Sequence, residues 1–89
     1  MVIYCILQKV CRVGKPADEP KYMSFYETEY GAEQELEFDY HLAVEDAKGG
    51  GDYYREEVHK NDKGYHVNCY FRGELTRTEY YYIEPRTVH

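Results

Sequence analysis

The chain has 89 residues, enough for one compact domain but too few for two separate hydrophobic cores. Hydrophobic residues make up 43% of it and tyrosine occupies 12 positions, which is too apolar and too aromatic for a disordered tail. The net charge of -6 disfavours direct binding to nucleic acid phosphates or to an anionic membrane surface. The sequence therefore predicts a single domain over residues 1–89 whose partners carry basic groups.

The beginning of the chain predicts two strands joined by a loop. Residues 2–13 carry apolar side chains in both alternating sets and are rich in β-branched residues, which is typical of a strand buried on both faces. Residues 14–20 contain two prolines and a glycine among charged residues and indicate a surface loop. Residues 21–30 are rich in Tyr, Phe and Thr, so they predict a second strand.

Two structures compete for residues 32–48. A strand is favoured because apolar and polar residues alternate without a break, with the apolar set being Leu36, Phe38, Tyr40, Leu42 and Val44. A helix is the alternative, because Glu and Ala are abundant, three glycines follow, and one helical stripe gathers Leu36, Tyr40, Ala43, Val44 and Ala47. The helix leaves Phe38 and Leu42 off that stripe, and the sequence therefore favours the strand.

The remainder of the chain predicts further antiparallel strands. Residues 52–60 form a strand closed by a turn at 61–64, and residues 65–71 and 75–83 form a hairpin around Arg72-Gly73. Pro85 is expected to end the sheet, since proline cannot donate to a ladder. The predicted fold is mainly β or α+β: a small antiparallel sheet of five or six strands with a C-terminal hairpin and one optional helix at 32–48.

The negative charge is concentrated in one segment. Between Tyr22 and Ala47 there is no Lys or Arg, and the acidic residues are Glu27, Glu29, Glu33, Glu35, Glu37, Asp39, Glu45 and Asp46. If the segment is a strand, four of these carboxylates face one side about 6.8 Å apart, twice the rise per residue; they are Glu33, Glu35, Glu37 and Asp39. Two nucleotides of one DNA strand also advance about 6.8 Å, so such a ladder could imitate a phosphate backbone. Tyr26, Tyr30 and Tyr40 are expected to anchor the same surface, because Tyr offers a large contact at low entropy cost.

Catalysis and metal binding have little support. The four histidines show no His-x-x-x-His spacing, and no glycine-rich phosphate loop follows a predicted strand. The cysteines Cys5, Cys11 and Cys69 are odd in number and form no Cys-x-x-Cys pair, which favours reduced thiols. With no basic leader before the first apolar run, we expect a cytoplasmic protein, in the host cytoplasm if phage-encoded, with no enzymatic activity, cofactor or metal.

Gly64, Gly73 and Tyr80 follow one another at spacings of nine and seven residues, and Phe38-Asp39-Tyr40 adds an aromatic run upstream. In this spacing of glycine and aromatic residues, the C-terminal half resembles the chitin-binding module of arthropod cuticle proteins. The resemblance implies an antiparallel, aromatic-rich sheet that stacks Tyr and Phe rings on N-acetylglucosamine units.

The size and the placement of charge are similar to those of small acidic phage inhibitors, including some anti-CRISPR proteins. We expect a non-catalytic, tyrosine-rich protein that docks on a basic surface of a larger protein, such as a nucleic-acid-binding complex, and does not itself bind nucleic acid or membranes. A chitin-binding cuticle-type module and a small structural subunit of a larger complex are the alternatives.

Overall fold

Five antiparallel strands form one open sheet, and one helix packs against a single face of it, in the computed structural model, which describes residues 1–89. The elements in chain order are β1 (Val2–Arg12), β2 (Lys21–Tyr26), α1 (Glu29–Ala47), β3 (Tyr54–Asn61), β4 (Gly64–Phe71) and β5 (Glu74–Thr87). The spatial order is β2-β1-β5-β4-β3, so the first and last strands pair at the centre. The predicted small antiparallel sheet with one helix is confirmed.

The C-terminal hairpin is also confirmed. β4 and β5 pair from Gly64 and Tyr82 at one end to Phe71 and Glu74 at the other. Arg72 and Gly73 connect them with φ values of 51° and 81°, the left-handed backbone that a two-residue hairpin turn needs.

The hydrophobic core lies between the helix and one face of the sheet. Its buried cluster consists of Ile6, Ala32, Leu36, Tyr65, Val67 and Cys69. Alternation along β4 places Tyr65, Val67 and Cys69 on this face, where Ala32 and Leu36 of α1 meet them. Only 8 of the 89 residues are buried, so the core is small for the chain that it must hold together.

Residues 29–47 form a helix, and the strand that the sequence favoured for residues 32–48 is wrong. Thr28 adopts an extended backbone and its Oγ1 accepts a 3.0 Å hydrogen bond from the Gly31 N–H, so it caps the helix and ends the second strand at Tyr26, before the predicted residue 30. In the helix, the Leu36 side chain is buried in the core, while Phe38 and Leu42 are 58% and 49% exposed. The alternative helix is confirmed, including the exclusion of these two side chains from its buried stripe.

The sheet continues through Pro85, which the sequence expected to end it. Pro85 pairs with Tyr4 in the β1–β5 ladder. The Val88 N–H donates to the Met1 carbonyl at 2.8 Å. Hydrogen-bonded and non-hydrogen-bonded pairs alternate along an antiparallel ladder, so Pro85, three residues before Val88, occupies a non-hydrogen-bonded position and its nitrogen faces away from β1. On that side β4 has already ended its pairing at Tyr82, so no ladder hydrogen bond is lost.

Gly64 provides a sharp test of the β4–β5 register. A Cβ at this position would lie 1.9 Å from the Tyr81 carbonyl oxygen, a backbone atom that can only yield by shifting the strand. We expect Gly64→Ala to lower the free energy of unfolding by about 1–3 kcal/mol, the usual cost of overpacking, as measured by urea denaturation. Gly51→Ala is the matched control, because a Cβ there meets nothing within 4 Å. Equal stability of the two variants would contradict this close packing.

Candidate protein-binding surface

Helix α1 carries apolar residues on two opposite sides. Successive residues are rotated by about 100°, so Ala32, Leu36 and Ala43 share the side that faces the sheet. Tyr30, Phe38 and Leu42 lie on the far side, with 69%, 58% and 49% of each residue exposed. These three residues, which we call the apolar stripe, lie on the outside of the helix: Phe38 and Leu42 are about one turn apart, and Gln34 separates Phe38 from Tyr30 about two turns away. Single exposed apolar residues are common, but a row of them on one helix face is typical of a contact surface.

Carboxylates border the apolar stripe on both sides. The helical rotation places Glu33 and Glu37 along one border and Glu35 and Asp39 along the other. Two clefts beside the helix agree with this division, because one is lined by Glu33 and Glu37 and the other by Asp39. The ladder of four carboxylates on a single face, which the strand interpretation required, is therefore absent. The same residues instead enclose an apolar centre.

Most of the acidic segment has no cationic partner within the chain. Glu37 is held by Lys60, with 2.8 Å between Oε2 and Nζ, and by His41, while Glu45 pairs with Lys48 at 2.9 Å. No ion pair is formed by the remaining members, which are Glu27, Glu29, Glu33, Glu35, Asp39 and Asp46. Most of the charge of this surface is therefore not neutralised within the chain.

The two borders differ in their electrostatics. The hydrogen bond from Lys60 lowers the pKa of Glu37, and the charges of Lys60 and His41 act in the same direction. Burial raises the pKa of Asp39, and the nearby negative charge of Glu35 adds to this effect. The Glu35 and Asp39 border consequently carries unrelieved like-charge repulsion, which a cation placed between the two carboxylates would relieve.

A cleft with a cavity volume of about 620 Å³ opens beside the first half of the helix. Its acidic wall is formed by Glu29, Glu33 and Glu37, which lie one helical turn apart. The floor is aromatic and apolar, with the Tyr40 and Tyr65 rings in edge contact at a centroid distance of 5.8 Å. Lys60 closes the opposite side and sits 5.3 Å from the centre of the Tyr40 ring.

The predicted aromatic anchors do not act together at the surface. Tyr26 and Tyr40 are partly buried and pack against the core, whereas Tyr30 is exposed on the apolar stripe. Among the predicted acidic residues, Glu27 precedes the helix and Glu45 and Asp46 lie in its last turn. The sequence missed Phe38 and Leu42 as surface residues, although their failure to fit the helical stripe was the available signal.

The histidines and cysteines form no metal-binding group of three or more ligands. His66 and Cys69 face opposite sides of the sheet, because Cys69 lies in the core with Tyr65 and Val67. Burial raises the pKa of the Cys69 thiol, which keeps it protonated and unreactive. All three cysteines are free thiols. Helix α1 is not long and apolar enough to cross a membrane.

Comparisons with protein-family models, with curated proteins and with solved structures find no match to this chain. The function must therefore be inferred from the surface itself.

The Glu37 carboxylate predicts a pH-dependent contribution to stability. Its pKa is lower in the folded protein than its ordinary value of 4.5, so its charge stabilises the fold at neutral pH. That contribution disappears as the pH falls through the folded pKa. We expect Glu37→Gln to be less stable than the original protein at pH 7 and equally stable well below pH 4.5, as measured by urea denaturation. A difference that persists unchanged at low pH would contradict the charge interaction.

The Asp39 carboxylate is expected to affect the free energy of unfolding in the opposite direction from Glu37. Because its pKa is raised above 3.8 in the folded protein, its negative charge at neutral pH opposes folding. We expect Asp39→Asn to increase the free energy of unfolding at pH 7. The gain should begin to shrink as the pH falls through the folded pKa of Asp39 and be gone well below 3.8, where the carboxyl is protonated in both states. Paired urea titrations of the two single variants separate the two borders. A loss of stability in Asp39→Asn at pH 7 would contradict the unfavourable burial of the Asp39 charge beside Glu35.

Proposed function

We propose that this protein is a non-catalytic binding protein that docks, through the outward side of helix α1, on a basic and partly apolar surface of a larger protein. The observation that carries the proposal is the exposure of Phe38 and Leu42 between two borders of carboxylates that are largely without cationic partners. An apolar centre within a charged rim is the usual composition of a specific interface.

The two parts of this surface have different tasks. Phe38 and Leu42 would enter apolar pockets of the partner and supply most of the affinity, since central, desolvated side chains dominate binding energies. The carboxylates would orient Lys and Arg side chains around them and raise the association rate by about 10–10³-fold at low salt. A purely charged surface would lack the first effect and a purely apolar surface the second.

The apolar part is tested with a fluorescent amphipathic peptide of Leu and Lys, about 18 residues or five helical turns long. We expect fluorescence anisotropy to show binding that is weakened at least about tenfold by Phe38→Ala combined with Leu42→Ala. Tyr53→Ala is the matched control, because Tyr53 is equally exposed at 58% but lies outside the helix, just before β3. An unchanged affinity in the helix variant, or an equal loss in the control, would contradict docking through the helix.

The charged part is tested with two pairs of neutralising substitutions. The double variant Glu33→Gln with Glu35→Gln lacks one negative charge on each border. It should therefore bind the peptide more weakly and with a smaller dependence on salt. Glu19→Gln with Glu74→Gln removes the same charge from exposed positions elsewhere and should change both quantities less. If both pairs act equally, only the net charge matters and the located site is wrong.

In its narrower form the proposal concerns a nucleic-acid-binding groove, as in phage-type inhibitors that imitate nucleic acid charge. The strand-based spacing no longer supports this form, but Glu29, Glu33 and Glu37 follow one another at about 6 Å along the helix axis. Lys60 neutralises the last of them, which limits the imitation. A partner captured from the native source on the immobilised protein should be released by duplex DNA. Release by salt but not by DNA would contradict nucleic acid mimicry and leave docking on a basic surface intact.

A further inference from the structure

The face of the sheet opposite the helix is uncovered. The core-facing set includes Tyr4, Ile6, Tyr81 and Ile83, so the intervening residues of β1 and β5 point the other way. We call this side the outer sheet face. No element of the chain packs on it, because the only helix lies on the core side.

The half of the outer sheet face formed by β2, β1 and β5 has an apolar and aromatic centre, and the charged residues Lys9, Glu84 and Arg86 lie on the same half. Cys5 and Leu7 are 0% and 2% exposed, although no second layer covers them. Their neighbours across the ladders supply the cover: Phe25 pairs with Cys5, and Tyr22 and Tyr82 flank Leu7. Tyr22 and Phe25 also stack on each other at 5.9 Å. The result is a preformed aromatic surface over a dry centre, with Phe25 58% exposed.

We infer that the outer sheet face binds a second copy of this chain, so that two sheets pack face to face with a helix on each outside. The inference is independent of the proposed function, which uses the other side of the molecule. Face-to-face packing of two sheets is an established way to bury apolar sheet faces. It would also enlarge a core that contains only 8 buried residues.

Charge opposes a second copy least at this face. The ionisable groups of the outer sheet face other than histidine and tyrosine are Lys9, Arg55, Arg86, Glu57 and Glu84, three basic and two acidic residues. Arg55 and Glu57 already pair with each other at 3.1 Å. A molecule of net charge -6 repels its own copies, and contact through the acidic helix would be the most repulsive arrangement. The nearly neutral sheet face is where two copies can meet.

The area is sufficient for a stable pair. Five strands at about 4.8 Å spacing and eight residues at about 3.4 Å rise give a face of about 24 by 27 Å, or about 650 Å² per copy. Specific interfaces commonly bury about 600–1,000 Å² per partner. The face is therefore within the range for a dimer, at its lower end, which predicts a moderate affinity.

Sedimentation velocity between about 1 and about 200 μM, where dimers of moderate affinity dissociate, tests this inference. We expect the mass to rise with concentration from the 10.6 kDa of one chain towards twice that value. The dissociation constant should change little with salt, because the contacting faces are nearly neutral. A mass of one chain at every concentration would overturn the inference.

Two phenylalanines of equal exposure separate the outer sheet face from the helix. Phe25→Glu should raise the dimer dissociation constant at least about tenfold, whereas Phe38→Glu should leave it unchanged. Circular dichroism checks that each variant is folded, and Tyr80→Glu, at a 39% exposed position on β5, replaces Phe25→Glu if that variant does not fold. Dissociation by Phe38→Glu, or full dimerisation of both sheet variants, would overturn the assignment.

Discussion

One helix covers one face of a five-stranded sheet, and the contact of Ala32 and Leu36 with Ile6, Tyr65 and Val67 determines what the rest of the molecule exposes. Ala32 is 0% exposed and lets the helix approach closely, while Leu36 fills the space between the strands. Once this contact is made, the rotation of the helix is fixed. Phe38 and Leu42 must then face outward, and the carboxylates must divide between the two borders.

The same contact leaves the second sheet face without a layer. A chain of this length has no further element to place there, since the remaining residues form strands, turns and the loop between β1 and β2. The side chains respond locally: large aromatic rings on β2 and β5 lie beside Cys5 and Leu7 and exclude water from them. The aromatic rings bury Cys5 and Leu7 but are themselves exposed. This side of the sheet therefore still presents an apolar surface.

The strands were predictable from their β-branched and aromatic residues and from the turn residues between them, as in the β4–β5 hairpin around Gly73. The helix was not predictable by pattern alone. Leu36 is buried and Tyr40 and Val44 are half-buried, while Phe38 and Leu42 are exposed in the gaps between them. Together they reproduce the alternation of a strand. The eight acidic residues form one segment of the sequence, but their arrangement in space depends on the helical rotation, which only the packing of Leu36 specifies. The continuation of β5 through Pro85 likewise depends on where the pairing with β4 ends, which the residues around Pro85 do not indicate.

The acidic outward side of helix α1 and the nearly neutral outer sheet face lie on opposite sides of the molecule, and this arrangement determines how the two proposed binding sites would combine. The acidic helix would repel other copies and attract basic partners, whereas the outer sheet face would accept a second copy. If two copies join through their sheets, their helices lie on opposite outer sides, so the pair presents two identical acidic surfaces facing away from each other. Such a pair could engage two basic sites on a repetitive or oligomeric partner, and the second contact would then benefit from the effective concentration created by the first. Under the two proposals, a small domain with a limited core would gain stability from association through the outer sheet face and affinity from recognition through the outward side of helix α1, without a longer chain.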